Sequence, residues 1–203
     1  MERREMRAMR EELWMRAVVL GAAGVVCAGA MGQAAVTALK PTTRQDNMFL
    51  MIASEGGLME VQFGQLAVQR ASSAEVRVFG QKMVDDQNLL NEKIKPVATA
   101  HILAAPEHLN RFDQAEFDKL GGLSGPDFDK EYLTVVMADQ ENELHQYRRA
   151  AAITSDAALK AAAQEGVKVL FEHKGKVEKL AAANGVAVPG HTSVLGPATE
   201  PAQ

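Results

Sequence analysis

The chemistry in this chain is carried by carboxylates, amides and one histidine, set at helical spacing among apolar neighbours. Met83-Val84-Asp85-Asp86-Gln87 and Val136-Met137-Ala138-Asp139-Gln140 each place an Asp-Gln pair in the middle of an apolar pattern. Glu60 interrupts the series Phe49, Ala53, Gly56, Phe63, Ala67, and His173 interrupts Leu159, Ala163, Gly166, Leu170, Val177, Leu180, Asn184. Steps of four and three put each series on one face of a helix. Glu60, Asp86, Gln87, Asp139, Gln140 and His173 therefore form a candidate buried polar seam, the binding residues predicted for this chain.

Two chemistries fit such a seam. Inward-facing carboxylates and histidines on facing helices build di-metal sites, whereas a hydrogen-bonded network without an ion satisfies the same groups. Ligand count favours the second. A di-metal bundle site draws on about four carboxylates and two histidines, while the seam offers one histidine and at most three well-placed acids. Gln87 and Gln140 add only neutral, weak ligands. No cofactor and no stoichiometric iron, manganese or zinc is expected, and no catalytic residue is assigned. Glu143, one turn beyond Gln140, and Glu172 are the acids that would supply a fourth carboxylate if their helices were rotated from this reading.

Four long helices must position these groups. The first is predicted from about Gln45 to Arg70, with Asp46 at its N-terminal end. Its Gly56, Gly57 and Gly64 each cost about 1 kcal/mol of helix propensity against alanine, which calls for a close-packed neighbour. Ser72 and Glu75 read as a capping box opening a second helix with the face Val76, Phe79, Met83, Gln87, Leu90, Ile94. Pro96 is expected to kink it near Glu92, with a continuation to about Ala104. The connection to Ser124 holds a short helical stretch from Phe112 to Leu120. Ser124 is read as the cap of a third helix, with Pro126 in its first turn and the stripe Leu133, Val136, Gln140, Leu144, Tyr147, Ala151. Ser155 is read as the cap of the last helix, and Asn184-Gly185 followed by Pro189 as its stop. Short connections make helices one and two, and three and four, antiparallel neighbours; the long middle connection permits a crossover that leaves helices two and three parallel. The fold class is all-α, an antiparallel four-helix bundle with a short extra helix in the long connection.

The bulk properties agree. The 203 residues are 47% hydrophobic and 24% charged, enough for one domain with a real core, and only 5% aromatic, which suits helices packed by small side chains over a sheet sandwich. A net charge of -4 lacks the basic excess that phosphate backbones require, so nucleic acid is not an expected partner. Residues 1–16 hold five arginines and four glutamates, and Ala17 to Leu39 carries no charge. With the small-x-small site Ala28-Gly29-Ala30 this reads as a signal peptide over residues 1–30; the alternative is a membrane anchor formed by residues 17–39. Removing residues 1–30 leaves 17 basic and 22 acidic residues and discards Cys27, the single cysteine. Residues 31–44 are then a linker, 45–185 the bundle domain and 186–203, with three prolines and no periodicity, a disordered tail.

The same residues carry a family resemblance. Gly56-Gly57-Leu58-Met59-Glu60-Val61 with Gly64 and Leu66-Ala67, Glu75-Val76-Arg77 leading to Met83-Val84-Asp85-Asp86, and Leu123-Ser124-Gly125 with Phe128-Asp129 and Tyr132-Leu133 resemble the exported bacterial proteins called domain of unknown function 4142. The resemblance spans about Asp46 to Ala183. It implies a ferritin-like four-helix bundle, export to the periplasm or envelope, and no established enzymatic activity. The family pattern has histidine after the aspartate of helices two and three, where this chain has Gln87 and Gln140; His173 matches its helix-four histidine. The expected function is that of a non-catalytic binding or structural module with an envelope partner, touching a membrane only through an uncleaved N-terminus. The alternative is a ferritin-like metal-binding protein or metal-dependent oxidoreductase with a degenerate site. His101, His108, His145 and His191 find no ligand partner at helical spacing and are expected to be mostly solvated.

Overall fold

Residues 43–189 are described by the computed structural model; the expected signal peptide, most of the linker and residues 190–203 lie outside the described residues. Five helices follow one another: α1 (Arg44–Arg70), α2 (Ala74–Ala100), the short α3 (Arg111–Gly121), α4 (Gly125–Ile153) and α5 (Ala157–Ala183). The chain is all-helical among these residues, apart from one isolated bridge between Ala71 and Gly125. The four long helices close a ring of contacts, α1 on α2, α2 on α5, α5 on α4 and α4 on α1.

Each start has a local chemical cause, in several cases not the expected one. Thr43 caps α1 through a capping box with Asp46, whose amide donates to Thr43 Oγ1 at 3.0 Å. The helix therefore begins one residue inside the expected linker. The predicted Ser72–Glu75 box at the start of α2 is corrected: Ser73 is the capping residue, accepting from the Val76 amide at 3.3 Å. Ser72 is occupied elsewhere. The buried carboxylate of Asp129, at the start of α4, accepts the Ser72 amide at 2.9 Å, the Ser73 amide at 2.8 Å and the Ser72 hydroxyl. Ser124 stands at the cap position of α4 but makes no side-chain capping bond. Asp156 rather than Ser155 supplies the side-chain cap of α5, accepting from the Leu159 amide at 2.8 Å.

The helix ends differ in the same way. α2 runs unbroken through Pro96 and stops at Ala100, short of the expected Ala104. Ile102 turns the chain with φ of 60°, and the Leu103 amide returns to the Ala98 carbonyl at 3.0 Å. At the end of α5 Gly185 takes the left-handed conformation at φ 73°, which costs glycine no Cβ clash, and the Val186 amide bonds the Ala181 carbonyl at 2.8 Å. Val186 and Val188, partly buried, then pack against the core.

The glycines of α1 do meet a close neighbour. A Cβ on Gly64 would fall 2.7 Å from the Gly80 carbonyl of α2 and 2.8 Å from a Val84 methyl. The Asn91 side chain takes the space of a Cβ on Gly57 and donates to the Gly57 carbonyl at 3.2 Å. Lost helix propensity is thus exchanged for backbone-to-backbone approach.

The core is split into two apolar halves. One contains Phe63, Leu66, Val76, Phe79, Met83, Phe128, Tyr132, Leu133, Val136 and Val177. The other contains Phe49, Leu50, Leu90, Ile94, Leu144, Tyr147, Leu159 and Leu170. Along every long helix the sequence passes from one half to the other: between Ala53 and Met59 on α1, just before Glu60, between Met83 and Leu90 on α2, around Gln87, between Met137 and Leu144 on α4, and between Leu170 and Val177 on α5, around His173.

Candidate functional site

The boundary between the halves is where the candidate seam lies. Glu60, Gln87, Gln140 and His173 are fully buried, while Asp86 and Asp139 are partly exposed. The seam divides into two groups. His173 Nε2 meets Asp86 Oδ2 at 2.8 Å, joining α5 to α2, and the same oxygen accepts from Lys82 one turn earlier. The second group joins α1 to α4: Gln140 Nε2 donates to Glu60 Oε1. Glu60, Asp139 and Glu143 each bring a carboxylate oxygen within 4.8 Å of the others.

Glu143 is the residue that the seam as first drawn leaves out. It is buried, in hydrogen-bonding reach of Glu60. Its Oε1 occupies the place where a Cβ on Gly56 would stand, so the glycine of α1 makes room for the carboxyl of α4. Its position three residues from Gln140, on the same helix face, is the signal that could have found it. Glu172, the other candidate fourth acid, is exposed.

Electrostatics separates the two groups further. Burial, followed by the neighbouring Asp139 carboxylate, pushes Glu60 up to about 8, although bonds with Glu143 and Gln140 act the other way. Burial, with Asp113 adding to it, lifts Asp139 to about 7. Burial and then the charges of Glu60 and Asp139 hold Glu143 well above the ordinary carboxylate range. Three acids this close cannot all ionise in a desolvated site without a counter-charge. In the other group burial lowers His173 despite the pull of Asp86. Burial alone would raise Asp86, but hydrogen bonds from Lys82 and His173 outweigh it and hold Asp86 low. A neutral imidazole beside an ionised carboxylate donates from Nε2, which leaves Nδ1 as a buried acceptor.

Several polar atoms in this layer find no hydrogen-bonding partner among the described residues: Glu60 Oε2, both amide atoms of Gln87, Asp139 Oδ2, Gln140 Oε1, Glu143 Oε2, the Tyr147 hydroxyl and His173 Nδ1. Buried polar groups are ordinarily satisfied, and here the exceptions concentrate in one stratum. The expectation that the remaining histidines are mostly solvated is corrected at His101. It is buried at the end of α2, with Nδ1 2.9 Å from Asn47 Oδ1.

The family model described as Domain of unknown function (DUF4142) matches residues 29–180, three quarters of the chain. The chain belongs to this family. The DUF4142 match spans the whole polar layer, from Glu60 on α1 to His173 on α5. No curated protein matches the chain. Among solved structures it is similar to one from Streptomyces coelicolor described as a secreted protein, DUF305, with TM-score 0.61 and 18% identity over 73% of this chain and 97% of that one. At that identity the likeness concerns the fold. Among the described residues of this DUF4142 chain, no helix is long and apolar enough to cross a membrane.

Proposed function

We propose that this chain is an exported protein of the periplasm or cell envelope, built as an antiparallel, ferritin-like four-helix bundle that acts as a non-catalytic binding or structural module. The arrangement of the two apolar halves supports the topology. α1 and α5 pass from the Leu50 half to the Phe63 half, and α2 and α4 pass in the opposite sense. Neighbours around the ring then run antiparallel, and α2 and α4 lie parallel across it, as a long crossover through α3 would leave them.

The observation that carries the binding role is the polar layer itself. A bundle selected for stability alone would fill this level with aliphatic side chains, because stranding a buried polar group costs about 1 to 3 kcal/mol. Glu60, Gln87, Gln140 and His173 are fully sealed from solvent, which suits a retained ligand or a structural network better than turnover of substrates. Gln87 and Gln140, in place of histidines, argue against a redox di-metal centre. Metal binding is the second reading, favoured by the mutual approach of Glu60, Asp139 and Glu143.

Export is supported by the uncharged run from Ala17 to Leu39 and the Ala28-Gly29-Ala30 site. Intact-mass measurement on protein from the native envelope tests it. A mass lacking residues 1–30 is expected; a mass retaining them would replace the free exported form with one anchored by residues 17–39.

A further inference from the structure

Among the polar groups of the layer, the α1–α4 cluster is the one whose geometry specifies a ligand. We propose that Glu60, Asp139 and Glu143 bind one calcium ion, with the side-chain oxygen of Gln140 as a neutral fourth donor. The inference rests on reading the polar layer as a binding site and names what it binds.

Three observations carry it. The first is spacing: three oxygens no more than 4.8 Å apart surround a point at most about 2.8 Å from each, close to the calcium–oxygen distance of about 2.3–2.6 Å. The second is Gln140. Its Nε2 is committed to Glu60 Oε1, which fixes the amide at the cluster, while its Oε1 is buried and accepts nothing from any described residue. A carbonyl oxygen so placed lacks a positive partner. The third is Gly56, whose missing Cβ leaves the space that the Glu143 carboxyl enters.

The donor chemistry selects the ion. Every donor is an oxygen, and the imidazole of the layer is engaged on the other side by Asp86. Oxygen-only sites suit hard cations, whereas zinc and copper favour nitrogen and sulfur. Magnesium demands near-octahedral contacts at about 2.0–2.1 Å and keeps much of its water, which a largely buried cluster with long reach accommodates poorly. A divalent ion also offsets two of the three carboxylate charges.

The test is calorimetric titration of the chelator-treated, purified chain with calcium chloride, then with magnesium and zinc chlorides, alongside thermal unfolding in each. Expected are one calcium per chain, a higher unfolding temperature in about 10 mM calcium, and binding at least tenfold weaker in Glu143→Gln and in Asp139→Asn, with helical content retained. Absence of both heat and stabilisation at that concentration would overturn the proposal. So would undiminished binding in both variants, which would mean surface acids, or zinc binding tighter than calcium and abolished by His173→Ala. Should Glu143→Gln fail to fold, Asp139→Asn and Gly56→Ala, which displaces the Glu143 carboxyl, give the same decision. Retention of the chain inside the cell would refute export and leave this result untouched.

Discussion

The carboxyl of Glu143 on α4 stands where a side chain on Gly56 of α1 would begin. Exchanging Gly56 for alanine in a mid-helix position would ordinarily stabilise by about 1 kcal/mol. Here the added methyl must expel a buried carboxyl from its place beside Glu60. Gly56→Ala is therefore expected to lower stability by about 1 to 2 kcal/mol, read as a lower urea midpoint. A midpoint above that of the natural chain would mean that Glu143 has room to move aside.

Asp129 ties the α1–α2 turn to the start of α4 by accepting two backbone amides and one hydroxyl. Removing it strands those donors in a partly buried turn. Asp129→Ala is expected to cost about 2 to 3 kcal/mol and Asp129→Asn less, since one acceptor oxygen remains. Equal losses in the two variants, measured by chemical unfolding, would show that carboxylate charge and not acceptor count holds the turn.

The acid cluster and the His173 pair make opposite demands on pH. Glu60 stands at about 8 and Asp139 at about 7 in the fold, both raised from ordinary carboxylate values near 4. The folded chain then holds more protons than the unfolded one, so this contribution is full below about pH 4 and disappears as pH rises through 7 to 8. His173 is lowered by burial, so its contribution is present above about pH 6.5 and is lost as pH falls. Between about pH 6.5 and 8.5 the acids alone change. In chelator-treated buffer the urea midpoint is expected to fall across that window, and less steeply in Glu143→Gln. A flat or rising midpoint would contradict a protonated cluster.

The long helices and their buried faces were readable because a period of 3.6 is written in the local sequence. What escaped depends on partners far away along the chain. Ser72 resembles a capping residue until Asp129, 57 residues on, claims its amide and hydroxyl. His101 looks solvated until Asn47, 54 residues back, takes its ring nitrogen. The two Asp-Gln pairs look equivalent, yet α2 turns Asp86 toward His173 while α4 sets Asp139 beside Glu60 and Glu143. Glu143 itself was legible as a same-face neighbour of Gln140. Glutamate is rarely buried without a partner, and the space that admits it is a missing methyl on a different helix, which no local pattern reports.

The polar stratum between two hydrocarbon halves also fixes how the helices align. Buried aromatic side chains such as Phe63, Phe128, Tyr132 and Tyr147, and the close approach of Gly64 to Gly80, restrict longitudinal register by shape, and the polar stratum adds a restriction by chemistry. If any long helix slid by one turn, about 5.4 Å, Glu60 or His173 would enter hydrocarbon, and Phe63 or Leu170 would enter the carboxylate level. Each stranded polar group would cost about 1 to 3 kcal/mol. Because all four helices cross the stratum, each is keyed against its neighbours, and the layer acts as an alignment gauge during assembly whatever it later holds.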